Sequence, residues 1–312
     1  MLTKSERNTI IDVYEIFSEA GGVIAMQSNL LNIIEARFDR LSKGQKSIAR
    51  YILNHYEKAA YMTAAKLGNL AEVSESTVVR FANELGFEGY PELQRALQEL
   101  VRTNLTSFQR VEVSDSIIGD KNVLDQVLLS DAEKIRKTLE TIDKDAFDKA
   151  VDNIIGAKRI YIIGVRSSAT LAGFLHYSLQ MIFDNLTLVQ TTSGNEMFEQ
   201  IMNIEEGDVM IAISFPRYSK RIIKAVEFAK RNGADVVALT DRATSPIAAD
   251  ADQLLNANSY IASFVDSLVA PLSIINAIIA ALARKKRDEL TERLRKLEEI
   301  WDEYDVYDKG RN

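Results

Sequence analysis

Apolar residues recur at helical spacing through the first third of the chain. Leu30, Ile33, Ile34, Phe38 and Leu41 form one such series, and Ile48, Ile52 and Leu53 continue it. Between them, Ser42-Lys43-Gly44-Gln45 breaks and restarts a helix, with Ser42 as N-cap and Gln45 three residues on. Further helices are predicted over 63–71, 75–85 and 91–102, the last opened by Pro91, where a missing amide proton is harmless. Residues 103–122 are polar and without period. A helix pair is predicted next, 123–140 and 144–156, and then the pattern changes. Apolar, β-branched runs at 158–164, 186–190, 208–214, 235–240 and, more weakly, 253–257 alternate with helical segments. Strands separated by helices imply right-handed crossovers and a parallel sheet. The fold class is therefore an all-α domain followed by an α/β doubly wound domain. The charged tail, 284–306, is a helix with Leu290, Leu294, Leu297, Trp301 and Tyr304 on one stripe. That stripe fits docking on its own domain or contact with a second copy.

The expected organisation is an N-terminal extension (1–26), a helical domain (27–105), a linker (106–122), an α/β domain (123–285) and a C-terminal helix and tail (286–312). The extension has two readings. Codons for Ala20-Gly21-Gly22-Val23 can spell a ribosome-binding sequence, which would make Met26 a start site. Alternatively, Ile10, Val13, Tyr14 and Phe17 form an amphipathic helix.

Composition excludes several chemistries. The 312 residues contain no Cys, which removes disulfides, thiolate metal sites and cysteine nucleophiles. The two histidines, His55 and His176, are too few for a histidine-rich metal site and argue against a serine triad. Neither a cofactor nor a metal is expected. The stretch from Leu268 to Ala283 is interrupted by Pro271, Ser273 and Asn276 and reads as a buried helix, so no membrane span is expected. No secretory signal is visible, and a soluble cytoplasmic protein is expected. The net charge is −7, yet residues 27–105 carry 10 Lys and Arg against 9 Asp and Glu. The acidity lies elsewhere, and a local basic surface remains compatible with it.

The segment 62–85 carries a helix-turn-helix pattern. Leu67 and Leu70 give the first helix an apolar side, and Ala71 is small enough for a close crossing. Val73 plugs the turn, and Ser74 is a suitable N-cap. Val78, Phe81 and Leu85 face inward at i, i+3 and i+7. Ser74, Glu75, Ser76, Thr77, Arg80 and Asn83 are left outside or on the flanks, where a recognition helix meets base edges and phosphates. The same pattern also fits an ordinary helical hairpin with a solvated face.

Ser74-Glu75-Ser76-Thr77-Val78-Val79-Arg80-Phe81, followed by Leu85-Gly86-Phe87-Glu88-Gly89-Tyr90-Pro91-Glu92-Leu93, resembles the N-terminal domain of RpiR (MurR/RpiR) family bacterial transcriptional regulators. The resemblance covers about 27–285. It implies a DNA-binding head and a C-terminal SIS (sugar isomerase) domain. Gly86 and Gly89 then shape the turn into the last helix of the head, and Tyr90 packs that turn or meets a phosphate.

In an open parallel sheet, ligands bind beyond the carboxyl ends of the strands. Two such ends lead into helices: Val165-Arg166-Ser167-Ser168 and Ser214-Phe215-Pro216-Arg217-Tyr218-Ser219. Helix N-termini, hydroxyls and arginines make an anion site, although capping alone would also explain the serines. The SIS resemblance implies loops of the form G-x-G-x-S and S-x-S-G-x-[ST]. Ser168, Ser214 and Ser219 carry over. Arg166 replaces a glycine, and Pro216-Arg217 replaces Ser-Gly. One amide is lost and two cations are gained, so Arg166 and Arg217 are expected to hold an acidic group or to pair across a subunit contact.

The expected effector residues are Arg166, Ser167, Ser168, Ser214, Arg217 and Ser219, and the ligand is a small anionic metabolite such as a sugar phosphate. Thr192, Ser193 and Glu196 flank a third loop, with Glu196 a weak candidate base. Thr240-Asp241 is read as a helix cap beside the pocket. The expected function is a metabolite-sensing DNA-binding regulator, a homodimer or homotetramer on operator DNA, with no catalytic residues. The alternatives are a sugar-phosphate isomerase with an accessory helical domain and a sensing scaffold that binds protein alone.

Overall fold

A computed structural model describes residues 30–104, 109–111, 114, 122–190, 193–259 and 263–307. Both readings of the N-terminal extension lie outside these residues, as does Thr192. The chain divides into two compact units, residues 1–123 with 261–266 and residues 124–260 with 267–312.

The first unit is helical. Helices α1 (Leu30–Arg37), α2 (Lys43–Ala59), α3 (Ala64–Leu70), α4 (Glu75–Glu84) and α5 (Tyr90–Asn104) follow one another, with a 3-10 turn over Phe38–Arg40. The expected capping box opens α2: Ser42 Oγ accepts from the Gln45 amide, and Gln45 Oε1 accepts from the Ser42 amide. The helix kinks at His55, where φ is −143° and ψ is 39°. Ile34, Ile48, Ile52, Leu67, Val78, Phe81, Leu93 and Leu97 are fully enclosed and form one core. Tyr90 belongs to that core. Its hydroxyl donates to the Met62 carbonyl at 2.7 Å, and burial pushes its pKa up to about 12. Gln94 and Gln98, one and two turns further along α5, donate to the carbonyls of Met62 and Ala60. Tyr90 therefore packs the turn.

The second unit begins with α6 (Val123–Thr141) and α7 (Lys144–Gly156). The α/β part then runs β1 (Ile160–Gly164), α8 (Ser167–Leu179), β2 (Leu186–Val189), α9 (Gly194–Ile201), β3 (Val209–Ile213), α10 (Lys220–Arg231), β4 (Asp235–Thr240) and β5 (Gln253–Asn256). Helices α11 (Val269–Lys285) and α12 (Arg287–Glu303) close the unit. All strands are parallel, in the order β2-β1-β3-β4-β5.

Alternate strand residues point to opposite faces. Ile160, Ile162, Val209, Ile211, Ile213, Val237 and Leu239 enter the core built with α7, α8 and α11. Tyr161, Ile163, Met210, Ala212, Val236 and Ala238 enter the core built with α9 and α10. Both faces are buried, so these strands read as continuous apolar runs rather than as alternation.

Helix α6 is oriented in an unusual way. Lys134 and Thr138 are buried, and Thr138 Oγ1 accepts from the Asn258 amide at 2.9 Å. Asp131 accepts from Lys134 Nζ and from Ser267 Oγ. Its polar face thus turns inward, while Leu124, Leu128, Ile135 and Leu139 are exposed by 65%, 60%, 38% and 65%. Helix α12 packs Leu290 against the core and pairs Arg293 with Asp184, but none of its residues is fully buried. Leu294 and Tyr304 of its stripe are exposed.

Candidate functional site

Two surfaces carry the chemistry expected from the sequence, one on each unit. On the first, Ser74, Glu75, Ser76, Arg80 and Asn83 are exposed along α4, and Thr77 is half-buried at its edge. Ser74 occupies the N-cap position, but its hydroxyl does not cap an amide. It lies 2.9 Å from the hydroxyls of both Ser76 and Thr77, leaving a cluster of three hydroxyls at the helix N-terminus. Arg80 Nε donates to the Ser76 carbonyl at 3.3 Å. Ala71 is buried in the core of this unit, and a second small residue matters at the crossing: a β-carbon on Gly68 would lie 2.8 Å from the Val73 carbonyl oxygen, so Gly68 also sets how closely α3 approaches the turn. Gly86 and Gly89, with φ of +94° and +145°, form the turn into α5 as expected.

On the second unit, sheet order reverses between β1 and β3. The chain leaves β1 toward β2 on one side and leaves β3 toward β4 on the other, which opens a crevice at their carboxyl ends. Gly164 pairs with Ile213, so the two loops start side by side. A β-carbon on Gly164 would meet the Ser168 carbonyl oxygen at 2.5 Å, so only glycine lets α8 start so close to the strand.

Arg166 has φ 57° and ψ −127°, the geometry of the first central residue of a type II′ turn, where glycine is favoured. Its side chain is exposed and makes no hydrogen bond or ion pair among the described residues. Ser167 is exposed. Ser168 and Ser214 are each 4% exposed, and neither hydroxyl has a hydrogen-bond partner among the described residues. Arg217 is exposed, and Ser219 caps α10 by accepting from the Arg221 amide at 3.3 Å. The six expected effector residues thus lie on two adjacent loops. Around them, Ser193 caps α9, and Glu196 stands exposed in its first turn. Half-buried His176 has its pKa lowered by burial.

The loop after β4 differs from expectation. No helix follows Thr240-Asp241, and residues 241–250 are turns and bends. Asp241 Oδ1 accepts from the Tyr218 hydroxyl at 2.7 Å, and Arg242 Nε donates to the Tyr218 oxygen at 3.1 Å. The side chain of Asp241 is fully buried, and that of Arg242 is nearly so. Nothing in the local sequence pairs residue 218 with 241. Only the adjacency of β3 and β4 does so.

Residues 28–103 match the family described as "Helix-turn-helix domain, rpiR family", and residues 153–281 match the SIS domain. The chain is a transcriptional regulator of the RpiR family. This regulator is 25% identical over 277 residues to the HTH-type transcriptional regulator HexR of Pseudomonas aeruginosa, covering 87% of this chain and 95% of that one. It is 25% identical over 281 residues to HexR of Escherichia coli, with 87% and 93% covered. Its fold is that of the sugar isomerase domain of an RpiR transcription factor from Sphaerobacter thermophilus. The TM-score is 0.53 at 27% identity, over 56% of this chain and 97% of that one. It also matches the Vibrio vulnificus NanR protein complexed with ManNAc-6P, at TM-score 0.55 and 22% identity, over 88% and 99% of the two chains. The helical head is thus a DNA-binding domain, and both HexR relatives are named as transcriptional regulators. Among the described residues no helix is long and apolar enough to cross a membrane.

Proposed function

We propose that this RpiR-family regulator is a cytoplasmic sensor that couples an anionic metabolite, a sugar phosphate or related acid, to operator binding. The observation that carries the effector site is the pair Ser168 and Ser214. Ser168, in the first turn of α8, and Ser214, at the end of β3, are each 4% exposed, and neither side chain is paired among the described residues. Two such hydroxyls beside a helix N-terminus can each donate to or accept from a ligand oxygen. The α8 N-terminus adds unpaired amides and a positive dipole end, and Arg166, Ser167, Arg217 and Ser219 surround it. The NanR relative is complexed with a sugar phosphate, which supports this class of ligand. Two arginines in place of small loop residues favour an effector with more negative charge to satisfy than one phosphate held by amides alone.

In the head, Ser74, Glu75, Ser76, Thr77, Arg80 and Asn83 contact operator DNA, the hydroxyl cluster and Arg80 meeting phosphates and base edges. A palindromic operator requires two heads. The outward stripe of α6 supplies the self-association surface, as dimer or tetramer. Leu124, Leu128, Ile135 and Leu139 are exposed along it, and a stable interface buries roughly 800 Å² per partner. Effector binding shifts operator affinity only if the ligand prefers one arrangement of the assembly.

The test is a panel of sugar phosphates and phosphorylated sugar acids, screened by thermal shift and then added to operator-binding assays. A ligand that raises the melting temperature and changes operator affinity supports the reading. Stabilisation that survives Ser168→Ala and Ser214→Ala together refutes the site.

A further inference from the structure

From β3 to the start of α10 the loop is pinned at nearly every residue. Ser214, Phe215 and Pro216 are buried, Tyr218 and Ser219 are half-buried, and Arg217 alone is exposed. The pin at Tyr218 is polar on both sides. Its hydroxyl donates to Asp241 Oδ1 at 2.7 Å and accepts from Arg242 Nε at 3.1 Å. The Arg242 guanidinium also lies 5.7 Å from the centre of the Tyr218 ring. Thr240 Oγ1 donates to the same Asp241 oxygen at 3.3 Å.

This cluster removes a carboxylate and a guanidinium from water. Such burial is a poor source of net stability, because desolvation offsets the attraction and apolar packing would hold a loop as well. What a polar pin provides over an apolar one is direction. A hydroxyl fixed by an acceptor and a donor leaves its neighbours one orientation.

We propose that the Tyr218–Asp241–Arg242 cluster is a positioning device for the effector site. It holds the β3–α10 loop so that Arg217 projects into the crevice before the ligand arrives. The inference rests on the reading of the crevice as an anion site. Tyr218 does not touch the ligand. It acts through Arg217, the next residue in the chain, and spares the ligand the ordering of a long side chain on a free loop.

The experiment is a double-mutant cycle on the full chain with inorganic phosphate and glucose 6-phosphate as probes, read by calorimetric titration. Tyr218→Phe removes the hydroxyl and keeps the ring, and is expected to weaken binding about five- to tenfold, less than the loss of a direct charge-assisted contact because Tyr218 acts through Arg217. In an Arg217→Ala background the same change is expected to alter affinity less than twofold, because its target is gone. A purely structural role lowers the unliganded melting temperature but gives losses that simply add. Additive losses, or equal affinity of Tyr218→Phe and wild type, overturn the inference while leaving the effector site standing. A wild-type chain that binds neither these probes nor any member of the sugar phosphate and phosphorylated sugar acid panel overturns the effector site and this inference together. If Tyr218→Phe does not fold, Asp241→Asn gives the second cycle, with the same coupling expected.

Discussion

Replacing Arg166 with glycine is expected to make the protein more stable and a worse sensor. At φ 57° and ψ −127° a β-carbon is disfavoured, and a non-glycine residue held in such a region costs about 1–3 kcal/mol. Glycine relieves that strain but gains about 0.5–1 kcal/mol of freedom in the unfolded chain. The exposed arginine has no partner among the described residues, so no contact is lost. The net expectation is a gain of about 1 kcal/mol, or roughly 2–4 °C in melting temperature for a unit of this size. Effector affinity should fall about 10- to 100-fold, the scale of a lost charge-assisted hydrogen bond of about 1.5–3 kcal/mol. Arg166→Ala is the control, because it loses the guanidinium but keeps the β-carbon. It should bind as poorly as the glycine variant without the gain in stability. Differential scanning calorimetry of the full chain and titration with a sugar phosphate measure both effects. A glycine variant no more stable than the alanine one would refute the strain argument. Unchanged affinity in both would remove Arg166 from the site.

In the head, Gly68→Ala places a methyl 2.8 Å from a backbone oxygen that cannot swing away. A loss of about 1–3 kcal/mol by thermal melt and weaker operator binding are expected, and a neutral result would show that the α3–α4 turn yields. Tyr90→Phe should cost about 1 kcal/mol in denaturant melts. The folded pKa of Tyr90, about 12, lies above its ordinary value of 10, so its contribution is complete below pH 10 and is lost as pH rises from 10 to 12. The Phe variant should lose less stability over that window, and parallel curves would contradict this. Arg80→Ala should weaken operator binding about tenfold, and should lower the salt slope by about one unit if the contact is a phosphate. Unchanged binding would take Arg80 off the DNA. Leu124→Asp with Leu128→Asp should lower the molar mass in light scattering to that of a smaller assembly, and an unchanged mass would clear α6 of self-association.

The elements were legible where burial follows a period. The strands announced themselves because both faces of β1, β3 and β4 are covered, and the head because Val78, Phe81 and Leu85 repeat at helical spacing. Two local assignments departed from expectation for a shared reason: Ser74 takes the N-cap position of α4 without its hydroxyl capping an amide, and Asp241 precedes no helix. Ser74 and Asp241 are residue types that cap helices, and position alone made each a cap. Their side chains have nearer partners, Ser76 and Thr77 for one and Tyr218 for the other. Spacing pointed to Ala71 at the crossing but not to Gly68, whose role shows only in its distance to the Val73 carbonyl. The two loops of the proposed effector site could be placed from Gly164 and the serines because strand ends that lead into helices share one chemistry. The outward stripe of α6 was hidden because its apolar spacing is the same whichever face the domain covers. Only the polar bonds of Asp131 and Thr138 reveal which side is inward.

The charge distribution bears on how sensing reaches the DNA. Residues 27–105 carry 10 cations against 9 anions, so the head has little bulk attraction for a polyanion. In the proposed assembly, specific binding then depends on a few placed contacts and on two heads engaging one operator. Linking two weak binders makes the second contact intramolecular, and the gain disappears when geometry forbids simultaneous engagement. Tight single heads would hold DNA through a small rearrangement of the assembly. Weak ones lose the whole linkage advantage with it. A near-neutral head thus lets a modest ligand preference in the SIS domain produce a large change in occupancy, which a strongly basic head would mask.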